Sequence, residues 1–170
     1  MRKLFFIALI ITSGLLFGCQ SEENASQIDD LTGNEVTYAL HSASEYDISG
    51  SVVFQEKTDN SIQIIVKLLN TDEGAIHPVH IHFGPLSEAD STVAQLLVPV
   101  NGTTGRSVTR LKFLADETSF TYADLLKFNG SLKIHLDDGL NRGIVLAAGN
   151  IGINNELDTE VEACDGEKGG

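Results

Sequence analysis

The chain has 170 residues, with 24 Asp+Glu against 11 Lys+Arg and a net charge of −13. A surface this acidic repels phosphate backbones and anionic headgroups, which argues against nucleic-acid binding and against electrostatic attachment to a lipid surface. The length suits one domain with a real hydrophobic core, and two cysteines are too few for a disulfide scaffold.

The N-terminus reads Met1-Arg2-Lys3, then an uncharged apolar run from Leu4 to Phe17, then Gly18-Cys19. A short basic region, an apolar segment and a small residue before a cleavage point make up a secretory signal, expected over residues 1–18. The run is too short to span a bilayer, which takes roughly 20 residues. Leu16-Phe17-Gly18-Cys19 resembles the lipobox of bacterial lipoproteins, and that resemblance implies cleavage before Cys19 and a lipid on its sulfur. Gln20-Ser21-Glu22-Glu23 is similar to the acidic surface-export signal of Bacteroidetes lipoproteins. The implied location is the outer membrane, with display at the cell surface, and the implied membrane contact is the lipid. Several acyl chains bury enough CH₂ groups for stable anchoring.

Residues 19–34 are polar and acidic, and they read as a flexible tether. Residues 35–154 form the expected domain, and 155–170 an acidic tail that includes Cys164. With Cys19 lipidated, Cys164 has no partner for an internal disulfide, and its acidic neighbours disfavour the thiolate.

Within the domain the hydrophobic signal has period two. Val36 to Leu40 opens the series, with His41 at the strand's end. Ile48, Gly50, Val52 and Phe54 share one strand face, and Ile62, Ile64, Val66 and Leu68 share the next. Val93–Val100 and Ser107–Leu114 follow, joined across Asn101-Gly102-Thr103-Thr104-Gly105, a loop of residues that tolerate positive φ. Ser131–Asp137 and Gly143–Ile151 complete the set. Thr121-x-x-Asp124 has capping-box spacing and predicts one short crossover helix, stopped by Asn129-Gly130 and plugging an open end. Successive short strands with frequent turns predict an all-β fold, a Greek-key antiparallel sandwich or barrel.

Five histidines are present, and His77-Pro78-Val79-His80-Ile81-His82-Phe83-Gly84 holds three of them. Alternate side chains of a strand share a face. Val79, Ile81 and Phe83 are therefore expected in the core, with His80 and His82 together on the other side, about 7 Å apart at Cβ. On Ser131–Asp137 the same rule turns Leu132, Ile134 and Leu136 inward and sets Lys133, His135 and Asp137 opposite. If the two strands are neighbours, His135 becomes a third metal ligand, and Asp137 a fourth ligand or a support. Imidazole suits zinc, copper, nickel or iron, with copper or zinc the expected cofactor, and three protein ligands leave one position open. Lys133 argues against, since a cation beside a metal ion is repelled. The alternative use of these histidines is a hydrogen-bonded cluster that closes the sheet face. His77, before Pro78, is expected in a loop with its ring off that face.

The segment HPVHIHFG, followed by FNGSLKIHLDDGLNRGIVLAAGNIG, resembles the CHRD domain of secreted proteins, and more narrowly the CHRD-like lipoproteins of Bacteroidetes. The matching residues are His80, His82 and Gly84, then His135, then Gly143 and Gly149. Val79, Lys133 and Ala148 depart from the pattern. The resemblance implies a β-sandwich and no established catalysis. The His-x-His strand is also similar to that of copper/zinc superoxide dismutase, another Greek-key β fold, alongside the immunoglobulin-like architecture. That enzyme needs more histidines than converge here, and so much negative charge would slow capture of an anion. No Gly-x-Ser-x-Gly, His-Glu-x-x-His or phosphate-cradling loop occurs. The expectation is a non-enzymatic, monomeric binding or structural module at the cell envelope, its ligand or protein partner unidentified, with a metal-binding protein as the alternative and a redox enzyme third.

Overall fold

Strands form where aliphatic and polar side chains alternate, and the computed structural model, which describes residues 30–89 and 91–155, contains eight of them. The expected signal, the lipid site Cys19, residues 20–29 of the tether, and residues 156–170 with Cys164 lie outside the described residues. In chain order the elements are β1 (Leu31–Ser42), β2 (Ser49–Lys57), β3 (Ile62–Leu69), β4 (Ile76–Phe83), β5 (Val93–Asn101), β6 (Arg106–Leu111), α1 (Tyr122–Leu125), β7 (Asn129–His135) and β8 (Val145–Gly152). All pairings are antiparallel, and the order β1-β2-β3-β6-β5-β4-β7-β8 closes back on β1.

The hairpins β4-β5-β6 have β3 beside β6 and β7 beside β4, which makes two overlapping Greek keys. The all-β expectation thus holds, as a closed barrel, although β5 and β6 pair only at Asn101 and Arg106. Inside, the alternation sets side chains in register: Phe54 opposite Ile64, Val52 opposite Val66, Val79 opposite Ile134 and Ile81 opposite Leu132. All are buried, and each such burial is worth roughly 1.5–3 kcal/mol.

Closure depends on a close approach at the β1–β8 seam, where only His41 and Ser42 pair, with Ala148 and Ala147. A Cβ on Gly149 would lie 2.1 Å from the Ala39 carbonyl oxygen, so glycine is required there. At the end of the barrel where β8 finishes, α1 forms with the expected capping box: Asp124 N–H donates to Thr121 Oγ1, and Thr121 N–H donates to Asp124 Oδ2. Leu125 then enters the core as the predicted plug.

Several boundaries and one burial differ from expectation. β1 starts at Leu31, so residues 31–34 belong to the barrel and not to the tether. They are held by polar side chains, Thr32 Oγ1 and Asn34 Nδ2 both donating to Glu56, which no apolar alternation announces. β6 ends at Leu111, and Leu114 turns back through its bond with Thr118. β7 ends at His135, where its register with β8 shifts, two residues short of Asp137. Phe83, expected in the core, is 40% exposed: it ends β4 beyond the packed layer and leans on Phe128, ring centroids 5.6 Å apart.

Candidate metal centre

Because Val79 and Ile81 face the barrel interior, His80 and His82 face outward from β4. On β7, Ser131, Lys133 and His135 face outward beside them, with His80 opposite Lys133 and His82 opposite Ser131. Outward residues of a barrel normally meet water, but here most of them do not. Gly84, at φ +79°, turns the chain out of β4, and the following loop folds back over the outer wall. Leu86 is fully buried there against Val145 and Ala148, and its N–H donates to Asn150 Oδ1 at 2.7 Å. A second, small apolar cluster therefore covers this face. Ser131 and Lys133 are completely buried, His82 and His135 are 4% exposed, and His80 is half-buried.

The three imidazoles converge. One ring nitrogen from each of His80, His82 and His135 lies within 4.8 Å of the others, and the ring centroids are 4.6 Å apart for His80 and His135 and 6.0 Å for His80 and His82. His82 Nδ1 lies 2.9 Å from the Ser91 carbonyl oxygen, and His135 Nδ1 lies 2.7 Å from that of Arg142. A carbonyl oxygen only accepts, so each Nδ1 carries the proton and each Nε2 of the neutral ring carries a lone pair. Both Nε2 atoms are buried, and neither makes a hydrogen bond.

The surroundings hold the rings neutral. Burial lowers the pKa of His80 to about 4, with the neighbouring His135 and His82 adding to the effect. Burial likewise brings His82 down to about 4, against the Ser91 carbonyl, which favours the charged form, and with Lys133 and His135 opposing it. His135 moves the same way, again chiefly through burial. A neutral imidazole whose Nδ1–H is fixed on a carbonyl and whose Nε2 is bare is a preoriented metal ligand. These three side chains can hold a metal ion, and among the described residues they are the one such group of three or more metal-ligating side chains.

The other expected residues fall elsewhere. Asp137 lies past the end of β7 and outside the cluster, a correction to its expected place. Its carboxylate accepts from the N–H groups of Gly139 and Asn141 and from Asn141 Nδ2, holding the turn that follows. Its pKa is lowered by those bonds. Lys133 is on the expected face, and its charge opposes protonation of His82 and His135 as it would oppose a bound cation. His77 is in β4 and not in a loop. Its ring is off the cluster's face, as expected, but buried inward, with Nδ1 bonded to the Leu136 carbonyl at 3.1 Å. His41 is exposed on β1, apart from the cluster.

Sequence reasoning missed two contributors, the backbone carbonyls of Ser91 and Arg142, which no side-chain pattern can signal. Ser131, by its alternation with Lys133 and His135, stands on the same face without a hydrogen bond to the rings. Its hydroxyl is fully buried without a partner.

No helix among the described residues is long and apolar enough to cross a membrane. No protein-family model matches the chain, and no curated protein matches it at a significant level.

Proposed function

We propose that the protein is a metal-binding domain of the cell envelope, a lipid-anchored β-barrel that takes one copper or zinc ion on His80, His82 and His135. One observation carries this reading: the Nε2 atoms of His82 and His135 are buried, unprotonated and without hydrogen bonds, beside a third imidazole. Leaving a buried polar atom unsatisfied costs about 1–3 kcal/mol, and a coordinate bond removes that cost. The same observation disfavours the alternative use, a self-satisfied hydrogen-bonded cluster, because the rings' inner nitrogens do not bond to one another.

An all-imidazole donor set suits zinc and copper and disfavours calcium or magnesium, which take oxygen ligands. Binding, and not turnover, is the proposed role, in line with the resemblance of the two histidine strands to the CHRD domain. The anchoring part of the proposal rests on the signal layout of residues 1–18 and on Leu16-Phe17-Gly18-Cys19.

Titration of the purified, metal-stripped protein with Zn²⁺ and Cu²⁺ tests the site. One equivalent is expected to bind, and His82→Ala combined with His135→Ala is expected to abolish it. Equal metal content in the double variant would exclude this site as the binder. Intact mass of the membrane-extracted protein tests the anchor: an N-terminus at Cys19 carrying acyl chains is expected, and an unmodified Cys19 would refute it.

A further inference from the structure

Among the described residues, six buried side-chain polar atoms lack a hydrogen bond, and three of them stand on a single face of β4 and β7: His82 Nε2, His135 Nε2 and Ser131 Oγ. The first two are donors in the metal reading, which leaves the Ser131 hydroxyl unexplained. It sits directly opposite His82 in the sheet and four residues before His135, and it is completely shielded from solvent. A neutral hydroxyl is a weak ligand for zinc or copper, but it both donates and accepts hydrogen bonds. Three protein donors leave a four-coordinate ion one position short.

Access to that position is asymmetric. On the β7 side the face is sealed by the loop that carries Leu86. On the β5 side His80 is only half-buried, and its paired neighbour Leu96 is 61% exposed. The cluster is therefore least covered on the His80 side.

We infer that the bound ion keeps one exchangeable position, open from the β5 side to water or a small anion, and that the Ser131 hydroxyl donates a hydrogen bond to whatever occupies it. The inference rests on the metal reading and goes beyond it. A centre that only holds its ion would be closed on four protein ligands, whereas this one presents the ion to a small exogenous ligand.

The test uses the full chain loaded with Cu²⁺ and titrated with azide. A new near-ultraviolet charge-transfer absorption is expected, saturating at one azide per copper. Ser131→Ala is expected to bind copper as before and to lose azide affinity by about tenfold, the scale of one hydrogen bond to a charged group. The unfolding temperature of the metal-free variant separates this role from a structural one. Removing an unpartnered buried hydroxyl is expected to leave it unchanged or raise it, whereas a structural hydroxyl would lower it. Copper binding with no azide absorption overturns the open position while the metal reading stands. Unchanged azide affinity in Ser131→Ala overturns the part given to Ser131. Failure to bind copper at all overturns the metal reading, and this inference with it.

Discussion

At the scale of single residues, the site is governed by what its histidines cannot do. Burial keeps His80 and His82 neutral, with pKa values near 4 against the ordinary 6.5. Between those values the unfolded chain binds more protons than the folded one, so stability rises with pH across the interval. Their contribution is fully present above about pH 6.5 and is lost as pH falls toward 4. Carboxylates such as Asp59 and Glu56, whose pKa values are lowered by hydrogen bonds, lose theirs only at lower pH. The urea midpoint of the metal-free protein is therefore expected to drop between pH 6.5 and 4.5. Replacing His80 and His82 with Gln should flatten that slope. A midpoint that stays level in the unsubstituted protein would show that the rings are not shielded as described.

At the scale of elements, the site depends on β7 and β8 being buried on both faces. β8 pairs with β7 along its length but meets β1 through only two residues, helped by the closeness that Gly149 permits. Gly149→Ala drives a methyl group into the Ala39 carbonyl, and the expected cost is about 1–3 kcal/mol, as for other overpacked sites. The denaturation midpoint of the metal-free protein measures it. A loss within a few tenths of a kcal/mol would mean that the seam yields freely. The Ser131→Ala substitution on the adjacent strand is expected to leave that midpoint unchanged or raise it, so the two small changes distinguish packing from unmet hydrogen bonding.

For the whole molecule, the proposed metal binding would be linked to folding. The three donors come from two strands made neighbours only by the closed barrel, so the unfolded chain lacks the site. Free metal at 100 times its dissociation constant should stabilise the fold by about 2.7 kcal/mol. For a domain of this size that is a Tm increase of roughly 10 °C. Chelation should reverse the rise, and a Tm indifferent to Zn²⁺ and Cu²⁺ would contradict the linkage. The acidic surface favours the approach of cations and disfavours anions at long range. An anion that reaches the proposed open position must therefore be held by the ion and by Ser131, and not gathered by the field of the protein.

The order of residues along the chain was enough to determine which side chains face the barrel interior. It set Val52, Phe54, Ile64, Val66, Val79 and Ile81 inward, put His80, His82 and His135 on outward positions, and marked the cap of α1 at Thr121 and Asp124. Alternation reports only the side of its own strand. It is silent on which strand lies alongside, on where pairing stops, and on what covers the far side. Phe83 and Asp137 were misplaced for that reason, since both lie at strand ends where neighbours and not parity set direction. Residues 31–34 were missed because polar side chains hold them. Only the folded chain brought β7 beside β4, laid Leu86 over the outer wall, and aimed the carbonyls of Ser91 and Arg142 at two ring nitrogens. These are contacts between residues distant in sequence, through backbone atoms that every residue shares, and so they leave no local trace.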